Sequence, residues 1–393
     1  MSSVSARTTD ADRIEAAGVV GAGGAGFPTH IKARGAADVV IANGVECEPV
    51  LGKDKAVMRA RPDDVAAGLA VMMGCVGASR GIIAVKRKNS REVDAMKAAA
   101  RAYANVTVAE VGDYYPAGDE HVLVYELTGR VVPAGGIPLR AGAVVSNVET
   151  LLNVANAVRD GAPVTHKYVT VAGEVKRPGT FRAPVGASLA QLIEAAGGAR
   201  EPLGGRFEVL LDGPMMGKAL PPGRDLSAVP VTKTMSGVIL LPSGHPLIAG
   251  RKQSMESQVR LARSACVQCT HCTDLCPRRL LGHPLRPHLI MRNLGYMRPR
   301  LPQDLERYPE LMAAALCSEC GVCNLVCPMG LTPGHINAVI KRAMADARLK
   351  WTGQSGEEIV HPARPGRLMP SSRIVARLGL AEYATACEEL VEL

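Results

Sequence analysis

Eight of the eleven cysteines in this chain fall into two copies of one pattern, which strongly limits how the chain can fold. Each copy has three cysteines spaced by two residues and a fourth after three more, followed directly by proline. The first copy is Cys266, Cys269, Cys272 and Cys276, and the second is Cys317, Cys320, Cys323 and Cys327. This spacing is typical of the thiolates that bind two [4Fe–4S] clusters.

The spacing also predicts how these thiolates divide between the clusters. Since the turn carries each fourth cysteine past its own cluster, we expect it to bind the other one. The predicted ligand sets are Cys266, Cys269 and Cys272 with Cys327, and Cys317, Cys320 and Cys323 with Cys276. Structural zinc, which prefers two C-x2-C pairs, and disulfides, which need an oxidising compartment, are the weaker alternatives.

Length and composition allow two or three domains with real cores. The chain has 393 residues but one Trp and three Phe, so the cores must consist of Ala, Val, Leu and Ile. The first 17 residues contain no apolar signal-peptide core, and apolar runs such as residues 236–241 are too short to cross a bilayer. We therefore expect a cytoplasmic protein with no direct membrane span.

The net charge of +9 has a local origin. Residues 251–300 contain ten Arg or Lys and two Asp or Glu, around the first cysteine run. Cations there would stabilise reduced clusters and attract an acidic redox partner. Because no basic patch is interleaved with aromatic residues, we expect no nucleic-acid binding.

A glycine-rich loop near the N-terminus contains Gly21, Gly23, Gly24 and Gly26. Pro28 and Thr29 then open a predicted helix that contains Lys32. Glycines before a helix let backbone N–H groups converge on an anion such as phosphate. The loop matches neither the dinucleotide fingerprint nor the P-loop, so its spacing alone fits a tight structural turn equally well.

The loop is followed by an alternation of strands and helices. Predicted strands cover residues 39–42, 81–86 and 106–111, and predicted helices cover residues 62–73, 90–103 and 121–128. This order is typical of a parallel sheet wrapped by helices. Asn43, Glu46 and Glu48 follow the first strand, where such sheets bind ligands, although a solvated loop fits too. Asp119 and Glu120 also fit simple helix capping.

From Lys167 the pattern changes to two strands, a helix and further strands, which predicts a small β-grasp unit. The predicted strands are 167–174, 180–184, 207–211 and 238–241, and the helix is 188–196 with Ser188 as its N-cap. After residue 246 the chain is predicted to be helical. Cys47 and Cys387 are interpreted as thiols outside the clusters, and the Met215–Met216 pair as core.

Four motifs together resemble one superfamily. Residues 21–32, 43–49, 115–120 and 147–150 resemble the flavin site of the NADH-oxidising flavoprotein of respiratory complex I and of the equivalent flavin-binding component of Rnf complexes. The chain also resembles the cobalamin reductases of propanediol-utilisation microcompartments, which share ECEP, YPAGDE, a GPMMG segment and CTDLCPR in the same order. The resemblance covers roughly residues 10–385.

This resemblance implies an α/β fold with three functional domains. Residues 10–165 would form a Rossmann-like domain that binds FMN and NADH, and residues 166–245 a β-grasp domain of the SLBB type with its return strand. Residues 250–350 would form an α-helical ferredoxin-like domain with two [4Fe–4S] clusters. Independently of the resemblance, residues 353–370 are rich in Pro and Gly, which predicts that residues 351–393 form a C-terminal tail on the surface.

The resemblance also implies roles for individual residues. The flavin phosphate and ribityl chain would be held by Gly21, Gly23, Gly24, Gly26 and Lys32. The flavin would be lined by Asn43, Glu46, Asn147, Glu149 and Thr150, with Glu48 and Tyr115 in the same cofactor-binding set. Gly118, Asp119 and Glu120 would flank the nicotinamide face, and no side chain is expected to act as an acid or base.

The implied activity is electron transfer from NADH through FMN and the clusters to a corrinoid. FMN is needed between them because NADH gives electrons in pairs whereas clusters accept them singly. The implied partners are a corrinoid or a corrinoid enzyme or adenosyltransferase, and a microcompartment shell protein. An Rnf-like relay protein is the main alternative, and a β-grasp ligand-binding protein with structural clusters is a remote one.

Overall fold

The computed structural model describes residues 8–200, 207–251, 253–297, 300–356, 358–384 and 390–393; Cys387 lies outside these ranges. The strands are β1 Val39–Gly44, β2 Arg80–Lys86, β3 Val106–Val111, β4 Tyr114–Tyr115, β5 Ala143–Asn147, β6 His166–Gly173, β7 Gly179–Pro184, β8 Phe207–Leu211, β9 Lys218–Ala219, β10 Gly237–Pro242, β11 Met369–Pro370 and β12 Leu390–Glu392. The helices are α1 Asp10–Ala16, α2 Thr29–Ala33, α3 Lys53–Ala60, α4 Pro62–Val76, α5 Ser90–Ala100, α6 Glu120–Thr128, α7 Val148–Asp160, α8 Leu189–Ala195, α9 Pro246–Arg251, α10 Met255–Ala265, α11 His271–Asp274, α12 Pro277–Leu280, α13 Pro287–Met297, α14 Pro309–Met312, α15 Val322–Leu325, α16 Pro333–Asp346 and α17 Ser371–Arg377.

The N-terminal part contains a parallel four-stranded sheet in the order β3-β2-β1-β5. Its inner strands are buried almost throughout because helices cover both faces. The chain runs outward from β1 to β3 and then returns to the other side of β1 with β5. The sheet therefore has a topological switch point between β1 and β5, where α/β sheets bind ligands at the carboxyl ends of the strands.

The second part contains a mixed sheet in the order β12-β7-β6-β10-β8-β9. Strand β6 is antiparallel to β7 and parallel to β10, and α8 covers one face through Leu189 and Leu192. The predicted N-cap is confirmed, since Ser188 and Gln191 form a capping box. The predicted α/β fold with a β-grasp unit is thus confirmed.

The cysteine-rich part is helical, as expected. Helices α10, α13 and α16 pack around Ile290, Leu294, Ile336 and Ile340. The composition between the two cysteine runs predicts a helix over residues 302–315, and this prediction was wrong, because only α14 and short 3-10 turns form there. Pro309 lies inside the segment, and a proline cannot continue an α-helix from the preceding turn.

The C-terminal segment packs against all the other parts, unlike the expected surface tail. Strand β11 pairs with β4, β12 pairs with β7, and Met369, Ile374 and Leu380 are buried. Burial of this apolar surface provides the driving force for its folding back. Within the ranges that the structure describes, no helix is both long and apolar enough to cross a bilayer.

Candidate cofactor sites

The predicted flavin motifs meet at the switch point of the parallel sheet. Asn43 at the end of β1 and Asn147 at the end of β5 are partners in the strand register. The Asn43 amide donates to the Gly118 carbonyl at 2.9 Å, and the Asn147 amide donates to the Asp54 carboxylate at 2.9 Å. Three of the four motifs are therefore in direct contact where the fold favours a ligand, and the glycine loop contacts two of these three.

The glycine loop is fixed at its ends and open at its tip. The Gly21 N–H donates to the Phe27 carbonyl at 2.9 Å, and the Ala22 N–H donates to the Thr150 hydroxyl at 2.9 Å. In contrast, the N–H groups of residues 23–25 have no acceptor within the described part of the chain. Gly24 has a φ of +114° and open space around its Cα. Free backbone donors of this kind suit the phosphate of FMN.

Lys32 connects the glycine loop to the sheet. Its ammonium donates to the Val145 carbonyl at 2.7 Å and to the Glu120 carboxylate at 3.1 Å. Helix α2, which carries Lys32, has only five residues. The cradle for an anion therefore consists of the loop donors rather than of a long helix dipole.

Glu149 lies beneath the candidate flavin site with its carboxylate in contact with protein groups. It accepts from Lys53 at 3.2 Å, from the Tyr168 N–H at 3.0 Å and from Lys167, and it is 1% exposed. Lys167 also donates to the Ala22 carbonyl at 2.9 Å. Burial lowers the pKa of Lys167 to about 8, and the Glu149 charge opposes this shift.

Lys167 was missed as a functional candidate in the sequence. Lys167 comes from β6 of the β-grasp domain, and a lysine at a strand end ordinarily faces water. The buried partner, Glu149, lies 18 residues earlier, in the first domain. The only signal was a lone lysine before a run of apolar strand residues.

Glu46 and Glu48 have different surroundings although they lie two residues apart. Glu46 accepts from the Asp54 N–H at 3.1 Å, and burial, with the Asp54 charge, raises its pKa to about 7. Glu48 accepts from the N–H groups of Met215 and Met216, each at 2.9 Å. Glu48 therefore attaches the parallel-sheet domain to a loop of the β-grasp domain. The interpretation of the methionine pair as core was wrong for Met216, which is 53% exposed.

The segment from Tyr115 to Glu120 lies between the other flavin motifs and the cysteines. A Cβ on Gly118 would lie 2.8 Å from the Val45 carbonyl oxygen, so only glycine fits. Asp119 caps α6 by accepting from His121 at 3.0 Å, and its other oxygen accepts from Arg278 at 3.0 Å. The Tyr115 hydroxyl donates to the Cys320 carbonyl at 2.8 Å.

The structure brings the eight cysteines together in the crossed sets that the spacing predicts. One cavity is lined by Cys266, Cys269, Cys272 and Cys327, and another by Cys276, Cys317, Cys320 and Cys323. No described group of three or more His, Cys, Asp or Glu could hold a single metal ion. A cubane differs from such a site because it spreads its thiolates over four irons.

The two cysteine loops share their backbone conformation and differ in burial. Gln268 and Thr270 have positive φ, as do Glu319 and Gly321 at the equivalent positions. The Glu319 N–H lies 3.3 Å from the Cys317 sulfur, and the Gln268 amide lies 3.1 Å from the Cys266 sulfur. Such donors suit thiolates that bind a cluster.

The four cysteines of the second set are buried, whereas Cys269 in the first set is exposed. For brevity we call the second set the buried set and the first set the exposed set. Only the exposed set could bring a cluster close to the protein surface.

Three protein families match successive parts of the chain. The Nuo51 FMN-binding domain matches residues 14–156, the SLBB domain matches residues 168–219, and the 4Fe-4S dicluster domain matches residues 265–332. Among solved structures, an NAD+-reducing [NiFe]-hydrogenase in the H2-reduced state has a TM-score of 0.54 at 25% identity. That match covers 87% of this chain and 62% of the hydrogenase chain.

Curated relatives extend the similarity over nearly the whole chain. The cobalamin reductase PduS of Citrobacter freundii is 39% identical over 95% of this chain and 79% of its own length, and that of Salmonella typhimurium has the same values. A component of the Na(+)-translocating ferredoxin:NAD(+) oxidoreductase complex of Acetobacterium woodii is 33% identical over 69% of this chain and 59% of its own length. The chain therefore belongs to the cobalamin reductase PduS family and is a flavo-iron–sulfur oxidoreductase.

Proposed function

We propose that this protein oxidises NADH through FMN and two [4Fe–4S] clusters and delivers single electrons to a corrinoid. The 39% identity to two cobalamin reductases supports the choice of acceptor. The observation that carries the proposal is the 2.8 Å hydrogen bond from Tyr115 to Cys320, which joins the candidate nucleotide loop to the buried cysteine set.

Different residues of the chain would bind the flavin and orient it. The free N–H groups of residues 23–25 would bind the flavin phosphate, and Asn43 and Asn147 would orient the flavin. Glu120, which is 44% exposed, would lie at the nicotinamide side. The chemistry that FMN supplies is the conversion of an electron pair, taken as hydride, into single electrons.

The burial of the two cysteine sets supports an order of electron flow. The buried set contacts Tyr115 and Asp119, through Cys320 and Arg278, and so lies on the flavin side. The exposed set is bordered by Val267 and Met329, which are 64% and 46% exposed. We infer that electrons pass from the flavin to the buried set and leave through the exposed set.

Anaerobically purified protein provides the direct test. NADH should bleach the flavin absorbance, and added cob(III)alamin should then be reduced without membranes, with NADPH tested in parallel. A flavin that NADH leaves oxidised would contradict the proposal. Reduction of the corrinoid only in the presence of a membrane complex would favour the alternative, a relay protein similar to the Acetobacterium woodii component.

Location and partners follow from the same proposal. We infer that the protein works in the cytoplasm, within a bacterial microcompartment, beside a corrinoid enzyme or adenosyltransferase. Fractionation of cells that carry the tagged full chain, with recovery in purified microcompartments, tests this location.

A further inference from the structure

Arg278 lies at the boundary between the candidate nucleotide site and the buried cysteine set. It follows Cys276 and Pro277 in α12 and lines the same cavity as Cys276 and Cys320. One nitrogen of its guanidinium, Nη2, donates to the Asp119 carboxylate at 3.0 Å. The two side chains are only 11% and 10% exposed, so water screens this ion pair little.

The other terminal nitrogen of Arg278 is left without a partner. Nη1 is buried and has no acceptor within the described residues. A buried donor without an acceptor is costly, and a guanidinium cannot lose its proton to avoid this cost. The polypeptide thus offers a charged N–H beside a cavity lined by four thiols, where a bound cluster would supply sulfur acceptors.

We propose that Arg278 raises the reduction potential of the cluster in the buried set and that Asp119 limits this effect. Reduction adds one negative charge to a cluster, and a fixed cation in a poorly screened site stabilises that charge. The Asp119 carboxylate neutralises part of the guanidinium field. Arg278 is therefore a positioning residue, which acts on the cluster through its charge. The inference rests on the proposed function because it requires that cluster.

Opposite charge changes on the two partners test the proposal. Potentiometric titration, followed by EPR on the anaerobically purified full chain, would give the midpoint potential of each cluster. In Arg278→Gln we expect the buried-set potential to fall by at least about 59 mV, a tenfold change for a one-electron couple. In Asp119→Asn, which keeps an oxygen to cap α6, we expect this potential to rise.

Arg279 provides a matched control. It is the next residue in α12 and carries the same charge, but it does not line the cavity of the buried set. Arg279→Gln should leave the potential of that cluster nearly unchanged, and Arg278→Lys should retain part of the effect because it retains the charge. Cys269→Ser, which removes a ligand of the exposed set, assigns the two EPR signals.

Several results would overturn the proposal. One is an unchanged potential in Arg278→Gln with full iron and sulfide content, and another is an equal shift in Arg279→Gln. If Arg278→Gln does not retain the cluster, Asp119→Asn becomes the test. An unchanged or lower potential of the buried-set cluster in that variant would overturn the inference. Absence of any cluster signal from the buried set in the unmodified protein would instead contradict the proposed function.

Discussion

At the scale of single residues, the most constrained group is the carboxylate of Glu149. It is shared by Lys53 and Lys167 in a site from which water is excluded. Removal of one member of a buried ion pair leaves the other charge buried without a partner, which is strongly destabilising. Because Lys167 also holds the Ala22 carbonyl, the same pair supports the glycine loop.

Lys167→Met should therefore lower the free energy of unfolding by about 3 kcal/mol. It should also weaken FMN binding, because the loop loses a contact beneath the phosphate donors. Urea unfolding and FMN titration of the flavin-free protein measure the two effects. Lys176→Met is the control, since Lys176 is exposed in the same domain; equal behaviour of the two variants would refute this role.

Glu48 should make stability depend on pH. Burial raises its pKa to about 7, whereas hydrogen bonds from Met215 and Met216 and the Arg251 charge partly oppose the shift. A raised carboxyl pKa favours the folded state fully below the unfolded pKa of about 4.3. This contribution is lost as the pH rises through about 7, because the folded state must then ionise a buried group.

Glu48→Gln removes this titration while it keeps one of the two oxygens that accept from the methionine N–H groups. We expect the stability of the variant relative to the parent to increase from about pH 5 to about pH 8. Urea unfolding across this range measures the difference. A difference that stays constant with pH, as expected for the exposed control Glu194→Gln, would exclude Glu48 as the titrating group.

At the scale of secondary-structure elements, α4 and α7 approach closely at one glycine. A Cβ on Gly68 would lie 1.9 Å from the Leu151 carbonyl oxygen, which is backbone that cannot move aside. The carboxyl end of β5 leads directly into α7 and carries Asn147. The packing of these two helices therefore positions part of the candidate flavin site.

Gly68→Ala should destabilise the protein by about 3 kcal/mol, because the two helices must separate. Gly74 in the same helix provides the opposite case, since a Cβ there meets nothing within 4 Å. Gly74→Ala should stabilise by up to about 1 kcal/mol, because alanine has the higher helix propensity. Thermal unfolding measures both, and a harmless Gly68→Ala would contradict the close packing.

Most elements could be predicted from the sequence because the spacing of their apolar residues matches the side chains that the fold buries. Strand β3 has the predicted bounds, and the predicted helix after Pro62 corresponds to α4. The helix predicted over residues 302–315 failed because its composition favoured a helix whereas Pro309 interrupts it. The return of β11 to β4 could not be predicted, since a two-residue pairing has no local pattern.

The two groups of cysteines could be predicted from spacing because each loop fixes three of its cysteines locally. In contrast, the partners of Tyr115, Asp119 and Lys167 lie in other domains, and no local signal specifies them. Glu48 and Glu149 were expected to contact the flavin from motif matching. The structure gives their carboxylates protein partners, and their contribution to flavin binding stays a prediction.

At the scale of the whole molecule, contacts between domains connect the candidate flavin site to the buried cysteine set. Glu48 attaches the first domain to the β-grasp loop, and Tyr115 and Asp119 attach it to the cysteine-rich domain. The C-terminal segment reinforces this arrangement, since Arg364 pairs with Glu126. The buried cysteine set thus lies in the interior of the protein, and the exposed set lies near its surface.

In Cys269→Ser, electrons should still enter the protein from NADH but should no longer leave it for the corrinoid. We expect about half of the iron to be lost, flavin bleaching by NADH to persist, and corrinoid reduction to be largely abolished. Cys75→Ser is the matched control, because Cys75 lies in α4 outside both sets. Full corrinoid reduction by Cys269→Ser would show that electrons do not leave through the exposed set.

The proposed electron path requires one polypeptide to hold a flavin together with two clusters. Cofactor analysis of the anaerobically purified protein tests it most directly, as flavin, iron and acid-labile sulfide per chain. We expect one FMN with about eight irons and about eight sulfides per chain. A protein that contained this iron and sulfide but no flavin, and that bound none when FMN was added, would contradict the account.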